Sequence, residues 1–131
     1  AIHGTTFGGN PVACQAGLAT LRIVQEENLM AHAVEVGDCI QTRFREAQEE
    51  LPAIGDVRGK GLMVGVELIN ADGSPASEVI QAVLQESRAR GMVLSKCGTS
   101  TLRFAPPLII TQELAVEGVA AILDLLGHHQ W

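Results

Sequence analysis

The clearest pattern of hydrophobic and polar residues lies between positions 33 and 51. Apolar side chains recur there at steps of three and four residues, at Ala33, Val36, Ile40, Phe44, Ala47 and Leu51. Steps of this size place side chains on one face of an α-helix. Glutamates fall on or near the other side, and Pro52 ends the pattern because proline cannot continue a helix. The sequence therefore predicts an amphipathic helix with one buried face.

Alternation at every second position predicts β-strands further along the chain. In the stretch 62–68, which reads LMVGVEL, the apolar positions 62, 64, 66 and 68 alternate with the others, as in a strand with one apolar face. Apolar residues at 92–95 and 101–104 predict two more strands, with a turn at 98–100 between them. Arg58 and Lys60 lie among glycines just before the first strand. We expect a bend there with two exposed cations, in preference to an anion contact.

Three more helices complete the predicted order helix, helix, strand, helix, strand, strand, helix. The first runs from about residue 11 to residue 27 and carries small residues on one surface. The third begins at Ser74 and Pro75 and ends before Gly91. The last is capped by Thr111, and residues 127–131 form a tail. Its predicted buried side consists of Leu114, Gly118, Ile122 and Leu125.

These elements predict an α+β fold, in which helices cover a small, mostly antiparallel sheet. The chain has 131 residues, is 47% hydrophobic and 18% charged, and carries a formal net charge of −6. This acidity argues against nucleic acid and acidic membranes as partners, since both attract basic surfaces. The three cysteines have no CxxC spacing, which favours reduced thiols in a cytosolic setting over a disulfide framework or a metal site.

The stretch with the most chemical character is 3–11, which reads HGTTFGGNP. Thr5 and Thr6 lie between glycines, just before the first helix. Hydroxyl groups and free backbone N–H groups at a helix N-terminus suit a phosphate. From these residues alone, an anion-binding turn and a plain connector with a capping residue both remain open.

Three segments, in order, resemble the class III, pyridoxal-phosphate-dependent aminotransferases, which include acetylornithine, ornithine and 4-aminobutyrate aminotransferases. They are 3–16, 57–62 (VRGKGL) and 102–108 (LRFAPPL), and the resemblance covers essentially the whole chain. It implies the C-terminal small domain of a fold-type I aminotransferase together with the preceding interdomain helix. Residues 1–28 would be the phosphate-binding loop and connecting helix, a remnant of the large domain, and residues 29–131 the small domain.

The resemblance also implies roles for single residues. Thr6 matches the hydroxyl residue that binds the phosphate of pyridoxal 5'-phosphate, in the partner subunit's active site of a homodimer. Thr5 matches a position that lines the substrate pocket, although a turn-stabilising hydroxyl is nearly as good an interpretation. Arg103 matches the arginine that holds the substrate α-carboxylate, which suits a guanidinium fork. Without the motif around it, Arg103 would be an ordinary solvated or salt-bridged residue. His3 belongs to the loop motif without a catalytic role.

The implied reaction transfers an amino group from an amino donor, of the acetylornithine/ornithine or the 4-aminobutyrate class, to a 2-oxo acid. Lys60 and Lys96 are the only lysines, and neither matches the Schiff-base lysine of the family, which lies upstream of this stretch. We therefore expect a part of a longer cytoplasmic, homodimeric enzyme that is inactive alone and holds no catalytic residue. The alternative is a stand-alone α+β binding module that dimerises through its first helix. The sequence leaves the amino donor open.

Overall fold

The computed structural model describes residues 4–129 and 131, and it confirms the predicted α+β class. The described residues form four helices and four strands. In order they are α1 (Pro11–Glu26), α2 (Leu29–Ala47), β1 (Ile54–Lys60), β2 (Met63–Leu68), α3 (Val79–Ala89), β3 (Ser95–Cys97), β4 (Thr101–Phe104) and α4 (Gln112–Gly127).

The four strands form one sheet in the order β1-β2-β4-β3, with every neighbouring pair antiparallel. The prediction of three strands was wrong, because it missed β1. A bulge between Ile54 and Asp56 shifts the register, so that the buried residues Ile54 and Val57 lie three positions apart. This spacing hides the alternation by which strands are recognised. The strand predicted at 92–95 also lies later, at Ser95–Cys97.

The core lies between one face of this sheet and the helices. Val64, Val66 and Leu68 of β2 are fully buried, which confirms the predicted apolar face. The predicted face of α2 is confirmed as well, since Val36, Ile40 and Phe44 are buried. The rings of Phe44 and Phe104 join α2 to β4 with centroids 5.1 Å apart. The opposite face of the sheet is therefore free of helices.

Two predicted helix features needed correction, and one was confirmed. The buried side of α4 consists of Ala115, Val119, Ile122, Leu125 and Leu126, so Ile122 and Leu125 are buried as predicted, whereas Leu114 is 57% exposed and Gly118 is only partly buried. Helix α3 begins at Val79 and not at Ser74, because Pro75 forms an isolated β-bridge with Ile69. The Thr111 cap is confirmed, since its hydroxyl accepts a hydrogen bond from the Leu114 N–H at 3.3 Å.

His129 and Trp131, near the C-terminus, both contact the rest of the molecule. The Trp131 indole N–H donates to the Leu126 carbonyl at 2.9 Å, and the Trp131 side chain packs against the core. His129 Nε2 lies 3.4 Å from Glu86 Oε2. The prediction of a loose tail was wrong for these two residues, because α4 extends to Gly127 and brings them back onto the molecule.

Helix α1 differs from the others, because it has no buried residue. It packs against α2, and its apolar side chains Leu18, Leu21 and Ile23 are between 47% and 63% exposed. The first buried residue of the described chain is Leu29, at the start of α2. The hydrophobic core is therefore formed by the residues that follow α1.

Candidate functional site

The helix-free face of the sheet carries two rows of side chains. Successive strand residues point to opposite faces, so residues that pair across the sheet share a face. One row consists of Arg58, Gly65, Arg103 and Ser95, and the next of Asp56, Glu67, Thr101 and Cys97. Most of the charged residues of the sheet therefore meet on one surface.

Arg103 lies at the centre of this face, on β4. Its Nε–H donates to the Ser95 hydroxyl on β3 at 2.9 Å. Among residues 4–129 and 131, no carboxylate lies within 4.0 Å of its guanidinium nitrogens. The side chain is exposed, so its two terminal nitrogens are available to an external ligand. A guanidinium in this state can bind a carboxylate through two parallel hydrogen bonds.

A groove of about 530 Å³ runs over this face, and its charged lining residues are Arg58, Lys60 and Arg103. All three are cations, although the chain as a whole carries a net charge of −6. Gly65 lies in the floor between the two arginines, where an added β-carbon would come 3.2 Å from the Thr101 methyl group. The groove is therefore open at its centre and suited to an anion.

Arg58 is held by a network that joins three strands. Its Nη1 lies 2.7 Å from Asp56 Oδ2 and 3.3 Å from Glu67 Oε2, and its Nη2 donates to the Thr101 hydroxyl at 3.2 Å. The hydrogen bond to Asp56 is the main cause that raises the pKa of the Arg58 guanidinium. The predicted bend was wrong here, because Arg58 and Lys60 lie within β1. Arg58 and Lys60 are both exposed, as expected.

The loop that carries Thr5 and Thr6, called the hydroxyl loop below, lies before α1. Asn10 caps this helix: its Oδ1 accepts from the Ala13 N–H at 3.0 Å, and its Nδ2 donates to the Phe7 carbonyl at 2.6 Å. Gly9 has a φ of 78°, in the left-handed region that glycine tolerates. The hydroxyls of Thr5 and Thr6 are exposed and make no hydrogen bond to any described residue. His3 lies outside the described residues.

The structure does not bring all predicted site residues together. The groove that contains Arg103 is lined by neither Thr5 nor Thr6. Within this chain the threonines and the arginine thus belong to separate surfaces, and the lysines Lys60 and Lys96 are both exposed at strand positions. The network of Arg58, Glu67 and Thr101 was not predicted from the sequence. Alternation within β1 would have revealed it only if the bulge had been recognised.

The rest of the described chain offers little other chemistry. A second cavity of about 570 Å³ lies between α4 and the segments around β3 and β4, and its lining is mostly apolar, with Arg90 and Glu117 as the charged residues. Among residues 4–129 and 131, no group of three or more His, Cys, Asp or Glu side chains could hold a metal ion. No helix in this part of the chain is long and apolar enough to cross a membrane.

Curated proteins with known names resemble the chain over most of its length. It is 40% identical over 119 residues to an alanine/serine racemase of Pyrococcus horikoshii, covering 89% of this chain and 25% of the relative. It is 38% identical over 127 residues to a 4-aminobutyrate aminotransferase of Mycobacterium leprae, covering 95% and 28%. The chain thus spans little more than a quarter of the length of these relatives.

Solved structures share the fold over almost the whole chain. A phospholyase from Arthrobacter in complex with phosphoethanolamine superposes with a TM-score of 0.91 at 32% identity, over 98% of this chain and 32% of that one. An acetylornithine aminotransferase from Elizabethkingia anophelis gives 0.85 at 30% identity, over 97% and 31%. An ornithine aminotransferase from Toxoplasma gondii, described with partial occupancy of PLP at its active site, gives 0.80 at 29% identity, over 95% and 28%.

The family profile described as aminotransferase class-III matches residues 1–126. The match includes all three segments that carry the resemblance, and with them Thr5, Thr6 and Arg103. The chain belongs to the class III aminotransferase family.

Proposed function

We propose that this chain forms the C-terminal part of a pyridoxal-phosphate-dependent aminotransferase, which transfers an amino group from an amino donor to a 2-oxo acid. The observation that carries the proposal is the exposed guanidinium of Arg103, which has no carboxylate partner among the described residues and lies in a groove whose charged lining residues are all cations. Both substrates of such a reaction can present a carboxylate to this groove. Arg103 binds that carboxylate by a bidentate contact and so orients the reacting carbon.

The hydroxyl loop fits the phosphate group of the cofactor. Thr5 and Thr6 are exposed, their hydroxyls make no hydrogen bond to a described residue, and they precede the N-terminus of a helix of 16 residues. Partial positive charge and free N–H groups at such a terminus favour phosphate oxygens. We propose that Thr6 donates its hydroxyl to this phosphate in a homodimer and that Thr5 lines the substrate pocket. When bound, pyridoxal phosphate supplies the electron sink for the reaction.

The proposed division of the chain falls between residues 28 and 29. It is supported by the burial pattern, since α1 has no buried residue and the core begins at Leu29. Residues 1–28 then form the loop and connecting helix next to the large domain, and residues 29–131 the small domain. The free cysteines Cys14, Cys39 and Cys97 support a cytoplasmic location.

We propose that the 131-residue chain is inactive alone, because neither Lys60 nor Lys96 matches the lysine to which the family attaches its cofactor. The test is to incubate the chain with pyridoxal phosphate, reduce with borohydride and map modified lysines by mass spectrometry. We expect only the background labelling of exposed lysines. Stoichiometric, site-specific labelling of Lys60 or Lys96 would contradict the proposal.

The reaction itself is tested on the whole enzyme. Purified enzyme is supplied with acetylornithine, ornithine or 4-aminobutyrate and a 2-oxo acid, and the amino-acid product is measured. In parallel, L-alanine and L-serine are tested for racemisation and phosphoethanolamine for phosphate release, since a racemase and a phospholyase are among the similar proteins. Amino transfer from one of the three donors would support the proposal. Racemisation or phosphate release without amino transfer would refute it.

The exposed apolar side chains of α1 favour a second candidate, a module that dimerises through this helix without catalysis. Leu18 and Leu21 lie three residues apart and therefore share one face of α1. Sedimentation equilibrium of the chain, compared with a Leu21→Glu variant, tests this function. A dimer that the substitution dissociates, together with no amino transfer by the whole enzyme from any of the three donors, would favour the second candidate.

A further inference from the structure

We propose that Arg58 is a positioning residue that holds Glu67 away from Arg103 and so keeps Arg103 free for a carboxylate ligand. The inference rests on the proposed function, in which Arg103 binds the substrate carboxylate. It gives the network around Arg58 on the helix-free face a function in ligand binding, in addition to its contacts between three strands.

Glu67 is the acidic residue of this face that lies nearest to Arg103 in the strand register. Gly65 of β2 pairs directly with Arg103 of β4, and Glu67 pairs with Thr101. Glu67 is therefore the diagonal neighbour of Arg103 on the same face. Diagonal partners in an antiparallel pair lie roughly 7–8 Å apart at their Cα atoms, which long side chains can span. An ion pair between Glu67 and Arg103 is thus within reach of the fold.

The structure shows Glu67 paired with Arg58 on β1, on the side of β2 away from Arg103. Its Oε2 lies 3.3 Å from Nη1 of Arg58, the same nitrogen that lies 2.7 Å from Asp56 Oδ2. Asp56 and Glu67 are direct partners across β1 and β2, and carboxylates in this position repel each other. The Arg58 guanidinium compensates both charges at once. The hydrogen bond from its Nη2 to the nearly buried Thr101 hydroxyl fixes its orientation.

Arg103 is held in the opposite direction. Its Nε–H bonds to Ser95 on β3, which lies on the side of β4 away from Glu67. Gly65 separates the two arginines, because it pairs with Arg58 on one side and with Arg103 on the other. Two strand spacings, roughly 9–10 Å in total, therefore lie between them. Glu67 and Arg103 are thus drawn to opposite edges of the sheet.

Removal of Arg58 changes this balance. Asp56 and Glu67 then face each other without a cation between them, and Arg103 becomes the cation diagonal to Glu67. Glu67 turns towards Arg103 and occupies the fork as an internal carboxylate. An external carboxylate must then displace it, so its apparent affinity falls. Replacing Glu67 by glutamine in the same molecule removes the internal competitor and frees Arg103 again.

The test compares four forms of the chain: wild type, Arg58→Met, Glu67→Gln and the double variant. Each is treated with phenylglyoxal, and the rate of modification of Arg103 is followed by peptide mass spectrometry. Circular dichroism confirms folding, and the labelling rate of Arg43 serves as an internal control. Arg43 is exposed and makes no ion pair with any described residue.

We expect Arg58→Met to slow the modification of Arg103 by about 1.5- to 5-fold, the range for an exposed ion pair. The double variant should return to the wild-type rate, and Glu67→Gln alone should change it little. An unchanged rate at Arg103 in Arg58→Met would overturn the inference and leave the proposed function intact. A slow rate that persists in the double variant would also overturn it, because Glu67 would not be the cause.

A second measurement on the whole enzyme separates the inference from the proposed function. In Arg58→Met we expect KM for the 2-oxo acid to rise by a similar factor with little change in kcat, and to recover in the double variant. If labelling of Arg103 slows as expected while KM does not change, Arg103 does not bind the substrate carboxylate. That result would refute the proposed role of Arg103 and, with it, the functional part of this inference.

Discussion

Gly37 of helix α2 lies against the backbone carbonyl of Gly61, in the turn between β1 and β2. A β-carbon added at Gly37 would overlap the Gly61 carbonyl oxygen and carbon. Gly61 itself has a φ of 53°, which favours glycine. This contact sets how closely α2 approaches the turn between β1 and β2.

We therefore expect Gly37→Ala to destabilise the fold. The added methyl group must push α2 away from the turn, and overpacking of this kind costs about 1–3 kcal/mol of unfolding free energy. Urea denaturation followed by circular dichroism measures the change. Gly118→Ala in α4 is the matched control, since a β-carbon there meets nothing within 4 Å. It should be neutral or stabilising by about 0.5–1 kcal/mol, because alanine is the better helix former. Equal stability of the two variants would contradict the claim that the contact between Gly37 and Gly61 leaves no space for a β-carbon.

Arg103→Lys in the whole enzyme should impair the use of carboxylate substrates. Lysine keeps the positive charge but loses the two-pronged geometry. Loss of a charge-assisted hydrogen bond corresponds to about a 10- to 100-fold fall in kcat/KM. Steady-state kinetics with an amino donor and a 2-oxo acid provide the measurement. Arg43→Lys, on the exposed side of α2, is the control and should behave like the wild type. Wild-type kinetics in Arg103→Lys would exclude the bidentate contact.

Thr6→Val should weaken the binding of pyridoxal phosphate by the whole enzyme. The substitution keeps the shape of the side chain and removes one donor to a charged oxygen, which corresponds to about a tenfold rise in the dissociation constant. Fluorescence titration of the cofactor-free enzyme gives this constant. Thr20→Val is the control, because the Thr20 hydroxyl donates to the Ala16 carbonyl within α1 at 2.9 Å. If both variants bind the cofactor equally well, Thr6 does not contact its phosphate.

The ion pair between Arg90 and Asp124 makes stability depend on pH. Arg90 Nη1 lies 2.6 Å from Asp124 Oδ2, and this hydrogen bond is the main cause that lowers the pKa of Asp124 below the ordinary value of 3.8. A carboxyl group whose pKa is lower in the folded than in the unfolded state stabilises the fold above the unfolded pKa. That contribution is lost as the pH falls through the folded pKa.

We expect Arg90→Met to raise the pKa of Asp124 towards 3.8. The Tm of the Arg90→Met variant should lie below that of the wild type at neutral pH. The difference in Tm should shrink as the pH falls below 3.8. Carbon-detected NMR of the Asp124 carboxyl group and thermal melts between pH 2 and pH 7, about the range over which the linkage acts, test both statements. Arg88→Met is the control, since Arg88 makes no ion pair with a described residue. A Tm difference that is independent of pH would contradict the linkage.

The fold could be predicted wherever one period dominates the sequence. The face of α2 and the alternation of β2 are both clear, and both are found as expected. The buried side of α4 was predicted correctly at Ile122 and Leu125 but misplaced at Leu114, because apolar residues surround most of this helix and several stripes fit the sequence. Strand β1 was missed because its seven residues contain two glycines, three charges and a bulge. The final choice in both cases depends on tertiary packing.

The residues of the candidate site also divide into those that could be predicted from the sequence and those that could not. Thr6 and Arg103 could be named from local motifs, because each motif surrounds its residue in the chain. The neighbours of Arg103 could not be named, since Arg58 is 45 positions away and meets this face only through the pairing of β1 with β2 and of β2 with β4. Ser95 required the pairing of β3 as well. Strand register is a property of the assembled sheet, and it decided which charges share a surface.

Helix α1 has no fully buried side chain, and a helix of its length is only marginally stable in water by itself. The proposed phosphate contact of Thr6 requires a loop geometry that exists only in those molecules in which α1 is helical. If Thr6 binds a phosphate as proposed, the apparent dissociation constant equals the intrinsic one divided by the fraction of molecules in which α1 is helical. On this proposal, any surface that covers Leu18 and Leu21 and so stabilises α1 would tighten anion binding at a loop that it does not touch.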